Sequence, residues 1–344
     1  MKKFFFPICL ILISMVVMMS CEKKDNPVEN PSPSIPSTQK SILEKNFLSV
    51  DKATYHDGAM PSATVGNTIS GISYNQRALQ GGMNIISIVT DKTYKKFYVG
   101  VKGVNGYWIY IPETNTTRAV SDNIYTIPIM YSSTLNSGLT MLISGEDENG
   151  DVTEPYEAEI SIIDTEIGEL NINLTFSNAK DVDLHLFMPD GEHIFYGARG
   201  GSFQTADGTT VTYGLDHDSN ADCRIDNLNN ENIYIPAELI QTGTYRVVVD
   251  MFSNCDRSTS TSWLVSANYK GQAITPTSGT NPASGVYPVG AGDGDMTTIM
   301  EFTINNNSTR SANFKFLPNT FVPTPLTDMD EMKLEEASFR MNYK

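Results

Sequence analysis

Acidic residues at every second position mark two short segments of the sequence. The first segment contains Asp181 and Asp183, and in a strand such residues point to one face about 6–7 Å apart. Ionised carboxylates that close repel each other unless a cation or a basic group lies between them. Alternating oxygen ligands are also typical of calcium loops. The two segments together predict a calcium site, with these candidate ligands: Asp181, Asp183, Asp216, Asp218, Asn220 and Asp222.

The second acidic segment is not an EF-hand. Ala221 stands where an EF-hand loop needs glycine, and Asn227 stands where it needs a bidentate glutamate. The alternative to a calcium site is a solvated, turn-rich loop in which the aspartates cap local backbone groups. Both interpretations stay open at the level of sequence, and calcium is the one that we favour.

Two of the four cysteines predict a disulfide beside the acidic residues. Cys9 and Cys21 lie near the N-terminus, which leaves Cys223 and Cys255 as one pair. In an exported chain such a pair is expected to be oxidised. A zinc site would need two further soft ligands, and only His217 is close in sequence. We therefore expect the disulfide Cys223–Cys255 to brace the acidic loop.

The first residues have the form of an export signal. Lys2 and Lys3 precede an apolar run over residues 4–19, which is shorter than the roughly 20 residues that span a bilayer. Met18-Met19-Ser20-Cys21 resembles the lipobox of bacterial lipoproteins. The resemblance implies cleavage before Cys21, which would then carry the acyl chains, palmitate among them, that anchor the protein in a membrane.

The charged residues that follow the anchor indicate where the protein is displayed. The segment from Glu22 to Asp25 resembles the export signal of surface lipoproteins in the Bacteroidetes, which implies an outer-membrane lipoprotein exposed at the cell surface; a periplasm-facing location is the alternative. The net charge is −16, and it becomes −18 once Lys2 and Lys3 are removed with the signal. So acidic a chain excludes nucleic acid as a partner.

The rest of the sequence predicts an all-β protein of two tandem β-sandwich domains. Short runs rich in β-branched and aromatic residues alternate with turn signals such as Asn149-Gly150 and Lys270-Gly271. The predicted strands are 85–89, 97–101, 107–111, 125–129, 139–143, 158–163, 170–176, 182–187, 193–196, 232–235, 245–250, 263–269 and 298–304. The predicted domains are a signal peptide (1–20), a lipidated, Pro/Ser-rich linker (21–43), two sandwiches (44–166 and 167–305) and a C-terminal tail (306–344) with a short helix near 328–340.

Both sandwiches resemble known modules. The first resembles the immunoglobulin-like modules of Bacteroidetes surface proteins in its strand pattern. In the second, Asp181-Val182-Asp183-Leu184-His185, Pro189-Asp190-Gly191-Glu192-His193 and Gly243-Thr244-Tyr245-Arg246-Val247 resemble the YfaP-like domain over about residues 170–270. That resemblance implies a small β-sandwich outside the cytoplasm and brings no activity with it. The opening Asp-x-Asp-Leu is also similar to pre-peptidase C-terminal sandwiches, which accompany secreted hydrolases.

The sequence favours a binding module over an enzyme. No Gly-x-Ser-x-Gly elbow, His-Glu-x-x-His helix or phosphate-binding loop is present. We expect a non-catalytic, calcium-dependent binding or adhesion module for an extracellular glycan or protein, held at the outer membrane by its lipid. The alternatives are a structural stalk or assembly component without a ligand and, third, a hydrolase or a hydrolase accessory protein.

Overall fold

The chain folds into two β-sandwiches. The structure, a computed structural model, describes residues 37–112, 123–305 and 315–316, and all of them belong to one compact unit. The predicted signal peptide, Cys21, the linker up to residue 36 and the helix near 328–340 lie outside the described residues. Within the described ranges, no helix has the length and apolarity needed to cross a membrane.

The first sandwich pairs a four-stranded sheet, in the order β1-β8-β5-β3, with a six-stranded sheet, in the order β2-β7-β6-β9-β10-β4. Its elements are α1 (Ser37–Asn46), β1 (Leu48–Val50), β2 (Thr54–His56), β3 (Ile72–Ser73), β4 (Arg77–Leu79), β5 (Met83–Thr90), β6 (Tyr94–Val101), β7 (Tyr107–Tyr110), β8 (Asn123–Tyr131), β9 (Leu139–Asp147) and β10 (Tyr156–Ile163). Ile86, Val99 and Ile127 are among the fully buried side chains that the two sheets share as one core.

The second sandwich pairs an eight-stranded sheet, in the order β19-β18-β11-β16-β15-β14-β23 with β21 beside β18, with a five-stranded sheet, in the order β13-β12-β17-β22-β20. Its strands are β11 (Leu170–Phe176), β12 (Asp181–Phe187), β13 (His193–Ile194), β14 (Gly200–Gln204), β15 (Thr210–His217), β16 (Asn230–Ile235), β17 (Gly243–Ser253), β18 (Thr261–Tyr269), β19 (Gln272–Ala273), β20 (Ser278–Gly279), β21 (Ala283–Tyr287), β22 (Asp295–Ile304) and β23 (Lys315–Phe316). Two short 3₁₀ turns cover Ala221–Cys223 and Ala237–Leu239.

The all-β prediction is confirmed, and each predicted strand coincides with an observed one. The turn chemistry explains part of this agreement: Gly150 has φ +88°, and Lys270 and Gly271 have φ +53° and +70°. At Lys270-Gly271 both central residues have the positive φ of a two-residue hairpin turn, whereas at Asn149-Gly150 only the glycine does, and Gly accepts this conformation at little cost. The boundary that we predict between the sandwiches, at 166/167, lies between the last strand of one core and the first strand of the other.

Two parts of the chain depart from the sequence-based description. Helix α1 begins at Ser37, inside the segment predicted as linker up to residue 43, because Leu43 buries its side chain to 1 % exposure in the first core. The segment from Gly200 to Gly214, where the sequence predicts no strand, forms the hairpin β14–β15. Gly214 is required there, because at φ +128° a Cβ would lie 1.8 Å from the Arg199 carbonyl oxygen.

Candidate metal centre

Strand β12 carries Asp181 and Asp183, the acidic residues of the first segment, and both faces of this strand are buried. Val182 and Leu184 pack into the core of the second sandwich. Asp181, Asp183 and His185 occupy the opposite face, where they are 0 %, 1 % and 3 % exposed. Charged side chains are seldom buried to this degree unless other groups compensate the charge. The face of β12 that carries Asp181, Asp183 and His185 is therefore an enclosed polar site.

Three carboxylates converge in this enclosed site. One oxygen from each of Asp181, Asp183 and Asp218 lies within 4.8 Å of the other two. Two oxygens that each sit about 2.4 Å from one calcium ion are at most about 4.8 Å apart, so the group has the dimensions of a calcium site. We call these three residues the acidic site. They come from both sequence segments, as the calcium hypothesis requires.

Arg199 contacts the acidic site. The Arg199 guanidinium forms an ion pair with Asp218, whose side chain is 3 % exposed. Lys180 precedes Asp181 in sequence but directs its ammonium elsewhere, to Asn254 Oδ1 at 2.6 Å and to the Thr259 carbonyl at 3.2 Å. Burial lowers the pKa of the Lys180 ammonium. Arg199 is thus a cationic partner of Asp218, while oxygens of Asn254 and Thr259 hold the Lys180 ammonium.

The acidic loop, residues 218–230, closes over the end of β12. The Asp222 amide donates a hydrogen bond of 2.9 Å to Asp181 Oδ2, which ties the two acidic segments together. Asn220, Asp222 and Cys223 have φ of +61°, +55° and +59°. Asn and Asp adopt this conformation more readily than other residues with a side chain, so Cys223 is the one whose surroundings must impose it, and such residues concentrate at functional sites.

The predicted disulfide is present and holds this loop. Cys223 and Cys255 are bonded, with their Cα atoms 5.5 Å apart. Cys255 follows the end of β17, so the bridge joins the loop to the strand that pairs with β12. The disulfide prediction is confirmed.

Two of the candidate ligands have other contacts. Asp216 accepts hydrogen bonds from the Glu166 amide and from Asn232 Nδ2, and burial raises the pKa of its carboxyl. The side chain of Asn220 donates to the Lys180 carbonyl and to Asn229 Oδ1 and accepts from the Asp226 amide. The structure thus brings Asp181, Asp183 and Asp218 together, places the Asp222 backbone beside them, and gives Asp216 and Asn220 structural contacts.

Two buried carboxylates near the acidic site were not among the candidate ligands. Asp250 on β17 is 3 % exposed and lies directly opposite Asp183 in the strand register. Glu231 on β16 is fully buried, and its Oε2 accepts a 2.6 Å hydrogen bond from the Leu184 amide. A signal for Asp250 exists in the sequence, since it interrupts the apolar run that begins at Val247. Glu231 could not be found in this way, because its role depends on a contact between the two sheets.

Histidine and aromatic rings continue the polar face of β12. His185 Nδ1 lies 2.9 Å from His193 Nε2, and the His193 ring stacks on Phe187 and Phe195 with centroids 4.0 and 4.1 Å apart. Burial lowers the pKa of His185 to about 3, with a smaller contribution from His193. Burial, and then the charge of Arg246, lowers the pKa of His193 to about 4. Both rings are therefore neutral near pH 7.

Comparison with known proteins gives similarity to solved structures and no family. No protein-family model matches the chain, and no curated protein does. Among solved structures, the chain is similar to fibronectin(III)-like modules of Clostridium thermocellum CbhA. The identity is 11 %, the match covers 66 % of this chain and 89 % of that chain, and the TM-score is 0.18.

Proposed function

We propose that the second sandwich holds a calcium ion at the acidic site. The observation that carries this proposal is the burial of the Asp181, Asp183 and Asp218 side chains, with one oxygen of each within 4.8 Å of the other two. Two like charges 4 Å apart repel by about 4 kcal/mol at an effective dielectric constant of 20. A divalent cation removes this repulsion, and a donor set made only of oxygen suits calcium better than zinc or copper.

The bound calcium would stabilise the loop rather than contact a ligand itself. Asp181 and Asp183 are buried almost completely, which leaves little access for a large molecule. The ion would instead fix the acidic loop against β12, together with the disulfide and the hydrogen bond from Asp222 to Asp181. By mass action, an ion that binds only the folded state raises its stability.

We further propose that the chain acts as a non-catalytic binding module for an extracellular glycan or protein, anchored in the outer membrane through a lipid on Cys21. A groove of about 520 Å³ between the sandwiches suits a ligand of this kind, since ligand sites are commonly of that size. The half-buried ring of Tyr125 lines the groove, where Tyr110 and Trp263 expose only 8 % and 7 % of their surface, and Lys52 and Asn281 add polar groups. A glycan is the ligand that this combination favours.

The histidines support a role without catalysis. His185 is 3 % exposed and bonded to His193, so a substrate has little access to it. His217 lies 4.0 Å from Asp216 and 3.4 Å from the Asp164 carbonyl.

The rival function is a structural stalk, in which the same calcium site would rigidify the chain and the groove would bind no glycan.

Calorimetric titration of the full chain with CaCl₂ tests the calcium site. We expect binding with a Kd on the order of 10⁻⁴ M and at least a tenfold loss of affinity in Asp183→Asn, because one ligand charge is removed. Glu159→Gln is the matched control: it neutralises an exposed strand carboxylate of the first sandwich and should bind as wild type. Absence of calcium binding to the wild type would contradict the site.

A glycan array probed with the same protein in calcium tests the ligand. We expect binding to a defined oligosaccharide class that is lost in Tyr125→Ala. Silence across the array, from protein that does bind calcium, would favour the stalk.

A further inference from the structure

A chain of buried asparagines crosses the junction between the two sandwiches. Asn84 Nδ2 on β5 donates 3.0 Å to the Asn75 carbonyl, and both residues belong to the first sandwich. Asn229 Nδ2, in the acidic loop of the second sandwich, donates 2.8 Å to Asn75 Oδ1. Asn220 Nδ2 donates 2.7 Å to Asn229 Oδ1. These four side chains, which we call the asparagine relay, are between 0 % and 7 % exposed.

The relay ends beside the acidic site. Asn220 Nδ2 also donates 2.9 Å to the Lys180 carbonyl, which belongs to the peptide unit that enters Asp181. In sequence, Asn220 lies midway between Asp218, a member of the acidic site, and Asp222, whose amide binds Asp181. The conformation that places Asn220 is therefore the same one that positions these acidic groups.

Further contacts tie the same loop to the first sandwich. Asn230 Nδ2 lies 3.4 Å from Asn84 Oδ1, and Asn75 Nδ2 donates 3.1 Å to the Phe176 carbonyl on β11. The apolar part of the junction is small: Met83 and Ile85 of β5 pack with Leu264 of β18. Buried amides cost free energy when they lose their partners, so a loop that shifts would disrupt the junction as a unit.

We infer that the acidic loop is a latch between the two sandwiches. When the disulfide or a bound cation orders the loop, the junction holds the two sandwiches in one relative orientation. When the loop loses that order, the sandwiches can reorient. The disulfide part of this inference stands on the bond Cys223–Cys255 itself. The cation part rests on the proposed function. By linkage, a change at the junction must also alter the affinity of the loop for its cation.

Distances between spin labels in the full chain test the latch. Labels at D91C in the first sandwich and Q272C in the second are at exposed positions, with Cys9→Ser and Cys21→Ser to remove competing thiols. We expect a narrow distance distribution with the latch intact. It should become at least twice as wide in Asn229→Ala and in the double variant Cys223→Ser/Cys255→Ser.

The control is Asn178→Ala, which removes hydrogen bonds to Ser260 and Thr261 in the second sandwich but lies outside the relay. It should leave the distribution as narrow as in the wild type. An unchanged width in Asn229→Ala would overturn the latch, and that variant decides the question even if the cysteine variant fails to fold.

Calcium titration of the same labelled protein separates the cation part from the proposed function. We expect CaCl₂ to narrow the distribution and Asn75→Ala to weaken calcium binding at least threefold. Calcium that binds with no effect on the width and with equal affinity in Asn75→Ala would overturn the cation part alone. Absence of calcium binding would overturn the cation part together with the proposed calcium site, while the cysteine variants would still test the disulfide part.

Discussion

The two sandwiches differ in whether they bury charged side chains. Among the described residues, those buried in the first sandwich are apolar or neutral polar, such as Asn84 and Ser144. Of the residues that the structure describes, the buried acidic, lysine and histidine side chains all lie in the second sandwich: Lys180, Asp181, Asp183, His185, Glu231 and Asp250. Glu157 on β10 of the first sandwich is exposed and pairs with Lys102, and Glu146, which is partly exposed, pairs with Lys96.

This difference supports the proposed calcium site in the second sandwich. A sandwich of this size needs no buried carboxylates to fold, as the first one demonstrates with a core of aliphatic and aromatic residues. Burying several carboxylates together costs free energy, which must be offset by a cation or by hydrogen bonds. The second sandwich is therefore the one shaped by a requirement beyond folding. The chain supplies a probe for each sandwich, because its two tryptophans are Trp108 and Trp263.

Removal of the disulfide should have the largest effect, and chiefly on the second sandwich. The chain-entropy model gives about 3–4 kcal/mol for a closed loop of this length, so Cys223→Ser/Cys255→Ser should lower the unfolding free energy by that amount. Urea unfolding followed by Trp263 fluorescence in a Trp108→Phe background measures the change. The control is Trp108 fluorescence in a Trp263→Phe background. An equal loss at both probes would contradict the distinction between the sandwiches.

The buried histidine pair should make the second sandwich the more acid-sensitive one. The pKa of His185 in the folded state is about 3, below the value of 6.5 of a solvated histidine. Between these values the unfolded chain binds a proton that the folded chain does not. The buried, neutral His185 therefore does not lower the unfolding free energy above pH 6.5. As the pH falls from 6.5 towards 3, the unfolding free energy decreases by up to about 1.4 kcal/mol per pH unit because of this residue.

His185→Phe keeps an aromatic ring at this position and should remove that part of the pH dependence. Unfolding free energies at the Trp263 probe, measured from pH 7 to pH 4.5, provide the test. His56→Gln, which changes a histidine exposed on β2, is the matched control and should keep the slope of the wild type. A slope in His185→Phe as steep as that of the wild type would show that the acid sensitivity comes from other groups.

The sequence predicts local features of this molecule better than contacts between distant segments. The strands follow from alternation, and the turns at Gly150 and Lys270-Gly271 follow from residues that accept positive φ. The disulfide follows from elimination among four cysteines. Asp181 and Asp183 could be recognised because their spacing is local.

What the sequence could not provide depends on the tertiary structure. Asp216 and Asp218 look equivalent in the sequence, but a register shift between Leu215 and His217 separates their roles. Asp218 joins the acidic site, whereas Asp216 binds the Glu166 amide. Glu231 and the asparagine relay are contacts between elements far apart in the chain, so no local spacing reveals them. Helix α1 was missed because Leu43, which anchors it, follows a proline- and serine-rich segment.

A crystal structure of the protein grown in calcium would test the central claim most directly. We predict an anomalous difference peak within about 2.3–2.6 Å of one oxygen each from Asp181, Asp183 and Asp218. The peak should vanish in crystals of Asp183→Asn. Wild-type crystals in millimolar calcium that show no peak there, with the three carboxylates still buried together, would contradict the account.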